Sequence, residues 1–220
     1  MGKTRLRFCK TGRQKYISHL DLMATLRRAL LRAGVSLKYS QGFNPHPVMS
    51  IALPLSVGSE SVCELMDFES LDGVLPDDLP AALNDCLPEG IMILENYTPE
   101  RKFAGIAWIE VDGRLVYDGG TPDRAAERLS ELYAAESVMI SKKTKKGISD
   151  IDLVPFVRDI EFAAGEDGAL NLRVKLSAQN PSVSPDNFIS AIALHAPELT
   201  PDFASFKRVE VFDADMNVFR

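Results

Sequence analysis

The sequence predicts an α+β protein made of two consecutive halves, and three observations carry this prediction. Segments that alternate polar and apolar residues, typical of half-buried strands, are interspersed with segments whose apolar residues recur every three to four positions, typical of amphipathic helices. These segments follow the order β-α-β-β-α-β in the first half, and the second half repeats it after a polar hinge at 98–102. This order is the ferredoxin-like arrangement, an antiparallel sheet with both helices on one face.

The first half begins with an alternating strand at 5–9 and a helix from Ser18 to about Ala33. Ser18 is a typical helix cap, Asp21 stands in the capping-box position three residues later, and Gly34 ends the helix. The remaining elements of this half are strands at 49–55, 62–69 and 91–97 and a short helix at 77–87. Because the hinge follows, we predict an N-terminal ferredoxin-like domain at 1–98.

The second half, predicted as a C-terminal ferredoxin-like domain at 104–220, starts with a strand at 104–111 and a helix at 122–135. A third element is a strand at 137–142, and two further strands at 153–163 and 170–178 form a hairpin across residues 165–168. Pro185 directly follows Ser184, which favours a helix start because the fixed φ of proline suits the first helical position. A strand at 206–212 completes the half.

Composition narrows the function classes. The 220 residues are 45% hydrophobic and 25% charged, as in an ordinary globular protein. No apolar leader precedes Lys10 and no run approaches about 18 apolar residues, which predicts a cytoplasmic protein without membrane association. The three cysteines form no CxxC or CxxxCxxC pattern, so we expect no metal, iron–sulfur cluster or other cofactor in this chain. Motifs of nucleotide-binding loops, hydrolases and zinc proteases are also missing.

The net charge of −6 is the sum of very different charges in different parts of the chain. Residues 1–48 hold ten Lys and Arg against one acid, a charge of +9. Residues 49–100 hold eleven acids and no cation, and residues 101–220 hold fifteen cations and nineteen acids, giving −11 and −4. Because screening limits exposed charges to about 8–10 Å, a basic face in the first 48 residues can still attract an anion.

The start of the predicted first helix is the first candidate site. Free N–H groups and the helix dipole at Ser18, His19 and Asp21 suit an anion such as phosphate, and His19 adds a proton donor. Alternatively, His19 simply begins the apolar stripe of the helix at the edge of the core. On the opposite side of this helix, a cationic face can contact a partner, formed by Arg27, Arg28 and Arg32.

The second candidate is the segment 39–47, which carries recognition chemistry on a stiff backbone. Gly42 permits unusual backbone angles, whereas Pro45 and Pro47 restrict the chain on both sides of His46. Such a loop loses little entropy on binding. Aromatic rings for stacking and amides for hydrogen bonds to a planar ligand are supplied by Tyr39, Gln41, Phe43, Asn44 and His46. The alternative is an ordered connection that packs its aromatic rings into the core.

A lysine cluster in the second half is the third candidate. It comprises Lys142, Lys143, Lys145 and Lys146. Four lysines in five residues are suited to phosphate contacts, although solvated hairpin tips also carry such runs. Asp152 follows and is expected to pair with one of these lysines.

The chain resembles the bacterial radical SAM-linked proteins, a family of domains of unknown function. The resemblance rests above all on the run Tyr39–Pro47, and further on residues 16–22, 28–29, 32–34, 52–58, 144–153 and 183–186. It implies a radical SAM protein as partner, with the iron–sulfur cluster and S-adenosylmethionine in that partner.

Three hypotheses of function follow. The first is a non-catalytic partner that binds a substrate of the radical SAM enzyme, with RNA as the expected substrate, and presents it. The second is a metal-independent RNA-processing or hydrolytic enzyme in which His19 and His46 converge as acid and base. The third is a protein-docking module whose 39–47 loop contacts only the partner protein.

Overall fold

The computed structural model describes residues 2–144 and 147–220, and it shows a mixed α+β protein with antiparallel sheets. The predicted α+β class is therefore confirmed. The chain forms two compact units: the first ends at Ala104 and includes Arg220, and the second spans Gly105–Phe219.

The first unit has four strands and two helices: β1 Lys3–Lys10, α1 His19–Arg32, β2 Met49–Ile51, β3 Glu60–Glu69, α2 Leu79–Asn84 and β4 Ile91–Tyr97. Its strands lie in the order β4-β1-β3-β2, and each neighbouring pair is antiparallel. Both helices pack on one face of this sheet, because their apolar residues share a core with those of the strands.

The core of this unit confirms the apolar stripe predicted for α1. Four of the stripe residues are buried: Leu22, Leu26, Ala29 and Leu30. They pack against alternate residues of β1 and β3, including Leu6 and Phe68. The exposed positions of the same helix include Arg28 and Arg32, as the periodicity predicts.

The second unit contains β5 Trp108–Val116, α3 Ala125–Tyr133, β6 Met139–Thr144, β7 Gly147–Asp152, β8 Val157–Ala164, β9 Leu170–Ser177, α4 Pro185–His195 and β10 Phe203–Phe212. Its sheet follows the order β10-β5-β9-β8, again antiparallel, and β6 and β7 form a separate two-stranded hairpin. The Tyr133 ring stacks on Phe188 at 4.1 Å, which joins α3 to α4 in the core.

Three differences from the sequence prediction have local causes. The strand expected at 104–111 starts only at Trp108, because residues 103–105 form a 3-10 turn. Val154–Phe156 form another such turn, so β8 starts later than expected. Residues 147–152 extend as β7, which was not predicted. Within residues 2–144 and 147–220, no helix is both long and apolar enough to span a membrane.

Candidate functional site

The segment 39–47 is a loop held at both ends by backbone hydrogen bonds. Tyr39 and Pro47 form an antiparallel bridge, and the Ser40 N–H donates to the His46 carbonyl at 2.8 Å. Outside the bridge, the Val48 N–H donates to the Lys38 carbonyl at 2.8 Å, and the Lys38 N–H donates to the Glu69 carbonyl at 2.9 Å. The loop therefore closes on itself and is attached to the last residue of β3.

Side chains inside the loop fix the His46 ring. The His46 N–H donates to Ser40 Oγ at 3.1 Å, and His46 Nδ1 lies 3.1 Å from the same hydroxyl and 3.3 Å from the Asn44 carbonyl oxygen. These contacts involve the backbone N–H and Nδ1 of His46, so Nε2 is the ring nitrogen through which His46 can contact a ligand. Ser40, which the sequence did not single out, is therefore part of the site.

Phe43 stands at the tip of the loop and is fully exposed, with a relative accessibility of 112%. Gly42 before it has a φ of +126°, a conformation that side-chain-bearing residues rarely adopt. Gln41 and Asn44 are exposed as well, and Tyr39 is 41% exposed. Packing of aromatic rings into the core, the alternative that a phenylalanine favours on its own, is therefore wrong for Phe43.

Cationic side chains lie at the same end of the unit. The loop begins seven residues after α1 ends at Arg32. The segment that joins α1 to the loop lies next to the end of β3, where the Leu71 N–H donates to the Ser36 carbonyl at 2.7 Å. Arg28 and Arg32 are exposed, and neither has an ion-pair partner among residues 2–144 and 147–220. Arg27, one position earlier, is half-buried.

The Lys38 side chain forms an ion pair at the base of the loop. Its Nζ donates to Glu69 Oε2 at 2.7 Å, and this hydrogen bond lowers the pKa of the Glu69 carboxyl below its ordinary value. The pair joins the base of the loop to the end of β3 by side chains as well as backbone. It also neutralises Lys38, which leaves Arg28 and Arg32 as the available cations on the helix side of the loop.

The first candidate, at the start of α1, lies at the opposite end of the sheet. The Gly12 N–H donates to Glu60 Oε1 at 3.0 Å, which attaches the turn before α1 to the first residue of β3. Because β3 has 10 residues, its ends lie about 30 Å apart at about 3.3 Å per residue. His19 and His46 therefore belong to opposite ends, and the unit does not bring them together as an acid–base pair.

Ser18 and Asp21 cap α1. The Asp21 N–H donates to Ser18 Oγ at 3.1 Å, and Ser18 Oγ donates to Asp21 Oδ2 at 2.7 Å. The Asp21 carboxylate thus occupies the helix start and repels a phosphate, so the geometry favours the capping role over the predicted anion site. His19 is half-buried and has no hydrogen-bond partner within the described part of the chain.

Two residues of the lysine cluster, Lys142 and Lys143, lie in β6 of the second unit. Lys142 Nζ donates to the Ser182 carbonyl at 2.5 Å. The side chain of Lys143 and the residues Lys145 and Lys146 lie outside what the structure describes. Asp152 Oδ1 accepts the Val138 N–H at 2.9 Å and the Val154 N–H at 3.1 Å. The predicted pairing of Asp152 concerns lysines of which only Lys142 has a described side chain, and the Lys142 ammonium donates to Ser182 instead.

Asp152 is therefore a structural residue at the base of the hairpin. Its hydrogen bond from the Val138 N–H is the main cause that lowers the pKa of the Asp152 carboxyl. Among the described residues, no group of three or more His, Cys, Asp and Glu side chains is arranged to hold a metal. Cys9 and Cys63 are buried and Cys86 is half-buried.

Comparison with known proteins identifies the family of this chain. Residues 3–185 match DUF2344, a family described as an uncharacterized protein conserved in bacteria. The chain belongs to DUF2344. No curated protein matches the sequence.

A chain in the crystal structure of a Cbf5-Nop10-Gar1 complex is similar in fold, with a TM-score of 0.50 and 12% sequence identity. The similar region covers 94% of the DUF2344 chain and 48% of that chain, so the present chain spans about half its length. At this identity the likeness concerns the fold alone.

Proposed function

We propose that this DUF2344 protein is a non-catalytic RNA-binding module that presents its RNA to a radical SAM enzyme. RNA binding is inferred from one observation. The fully exposed Phe43 stands on a held loop at the same end of the unit as Arg28 and Arg32, two exposed arginines without an ion-pair partner among the described residues. Proteins that bind nucleic-acid strands combine aromatic rings, on which bases stack, with cations that contact the phosphates.

Presentation to a radical SAM enzyme is supported by the resemblance of the run Tyr39–Pro47 and its flanking motifs. In this proposal the partner carries the iron–sulfur cluster and S-adenosylmethionine. An affinity-tagged full chain, purified without oxygen, is expected to retain a protein with iron–sulfur absorbance. A co-purified protein that lacks iron and does not bind S-adenosylmethionine would contradict this part of the proposal.

We also propose that both units are ferredoxin-like. In each unit the first and third strands are central and the second and fourth are at the edges, as in β4-β1-β3-β2 and, without the inserted hairpin, β10-β5-β9-β8. The two helices of each unit connect strands in the order that this fold requires.

The location of RNA binding is tested by a matched pair of charge variants. Arg28 and Arg13 are both exposed and without ion-pair partners in the described residues, but Arg13 lies in the turn attached to the other end of β3. We expect Arg28→Gln to weaken RNA binding and to reduce the slope of log affinity against log salt by about 0.7, the value of one phosphate contact on a single strand. Arg13→Gln should leave both quantities unchanged.

Equal effects of the two variants would contradict binding at the loop end. If Arg28→Gln and loop variants abolish the complex with the partner protein while RNA affinity stays intact, the loop is a protein-docking element instead. The lysine hairpin is tested separately: changing Lys142 and Lys145 together to Glu should weaken RNA binding and flatten its salt dependence.

A further inference from the structure

We infer that the loop end of the first unit recognises unpaired nucleotides, with a base stacked on Phe43, rather than the grooves of an RNA duplex. This inference rests on the proposed RNA-binding function and names the class of RNA.

The chemistry of the exposed Phe43 side chain favours an unstacked base over a duplex groove. Phe43 is completely accessible, and within residues 2–144 and 147–220 no ring stacks on it. A phenyl ring has no hydrogen-bonding group with which to read the 2′-hydroxyls and base edges in the shallow minor groove of an RNA duplex, and the major groove is too narrow for side chains. Its two faces can be covered by a base only if that base has left its helical stack.

The loop is held on both sides of its tip. The Tyr39–Pro47 bridge, the Ser40–His46 backbone bond and the His46 side-chain contacts fix the residues that flank Phe43. A preformed loop loses little entropy when it binds a flexible strand. The exposed His46 ring adds Nε2 in the same loop, a nitrogen that can form a hydrogen bond with a base or ribose.

The experiment compares one fluorescently labelled RNA strand, alone and annealed to its complement, by anisotropy titration of the full chain. The wild type should bind the unpaired strand at least about tenfold more tightly than the duplex. Phe43→Ala should reduce affinity for the single strand about 5- to 150-fold, the range of one lost stacking contact, and leave duplex binding nearly unchanged. Phe43→Trp should retain the affinity, because the larger ring still stacks.

The control is Tyr16→Ala, which removes an exposed aromatic ring, with an accessibility of 64%, from the turn before α1. It should bind both RNAs like the wild type. Equal affinity of the wild type for strand and duplex, or single-strand affinity of Phe43→Ala within about twofold of the wild type, would overturn the inference but leave RNA binding intact. Failure of the wild type to bind either RNA would overturn the proposed function itself.

Discussion

The buried ion pair Arg5–Asp67 should contribute strongly to the stability of the unit that carries the loop. Arg5 Nε and one terminal nitrogen donate to the two Asp67 oxygens at 2.6 and 3.0 Å, and the Arg5 side chain has 0% exposure. The same guanidinium donates to the Arg101 carbonyl at 2.8 Å and lies over the Phe103 ring at 4.3 Å. Removal of Asp67 would leave a buried cation without its carboxylate.

A second Arg–Asp ion pair, in the second unit, differs from Arg5–Asp67 mainly in burial. Arg173 donates to the two Asp112 oxygens at 2.7 and 3.0 Å, but the side chains are 55% and 39% exposed. Breaking a buried pair typically costs about 3–5 kcal/mol, whereas an exposed pair contributes about 0–1 kcal/mol. We therefore expect Asp67→Asn to lower the free energy of unfolding by about 3 kcal/mol or more, and Asp112→Asn by less than about 1 kcal/mol.

Urea unfolding followed by circular dichroism measures both differences. A double variant, Arg5→Met with Asp67→Leu, should be more stable than either single variant, because no uncompensated charge remains buried. Equal losses in Asp67→Asn and Asp112→Asn would refute the reasoning that burial determines the contribution. Additive losses in the double variant would show that the two side chains do not act as a pair.

Three further predictions concern local structure. Hydrogen bonds in the native state lower the pKa of the Asp152 carboxyl, so the stability that they provide is present above the unfolded pKa of about 3.8 and is lost as pH falls through the folded pKa. Between pH 7 and pH 3, urea titrations should therefore show a smaller loss of stability for Asp152→Asn than for the wild type. Parallel losses would contradict this. Gly90→Ala would place a Cβ 2.6 Å from the Thr11 carbonyl oxygen, whereas the Cβ of Gly34→Ala meets open space at a similarly positive φ. About 1–2 kcal/mol of backbone strain is common to both variants, so thermal melts should show a larger loss of stability for Gly90→Ala. The reverse order would show that the structure relieves the contact with Thr11. Ser18→Ala should cost about 1 kcal/mol as a lost helix cap, and no change in the urea midpoint would indicate that water replaces it.

Local periodicity predicted much of the fold. The stripe of α1 and the strand at 91–97 are confirmed because their apolar residues repeat at the spacing of the element itself. Arg5 shows the limit of such patterns. Its alternating neighbours predict an outward, solvated side chain, yet it is buried against Asp67, which is 62 residues away. A partner at that separation leaves no periodic signal in the sequence.

The candidate site was predicted in part. The residue types of 39–47 predicted either an exposed recognition loop or a connection with its aromatic rings in the core, and they could not decide between the two. Ser40 and Glu69 became visible only through their contacts with His46 and Lys38. The predicted element order already indicated that His19 and His46 are far apart. A helix that starts at one end of a sheet ends near the other end, so the loop after α1 lies far from the start of α1. The contacts of the Asp152 carboxylate with two backbone N–H groups, those of Val138 and Val154, likewise became visible only in the structure.

Ultraviolet crosslinking of the full chain to RNA, followed by mass spectrometry of the crosslinked peptides, locates the bound RNA on the protein. We expect the main crosslinks in the loop between Tyr39 and Pro47, and we expect Phe43→Ala to remove most of them. Crosslinks confined to the lysine hairpin, or to the turn before α1, would contradict RNA binding at the loop end.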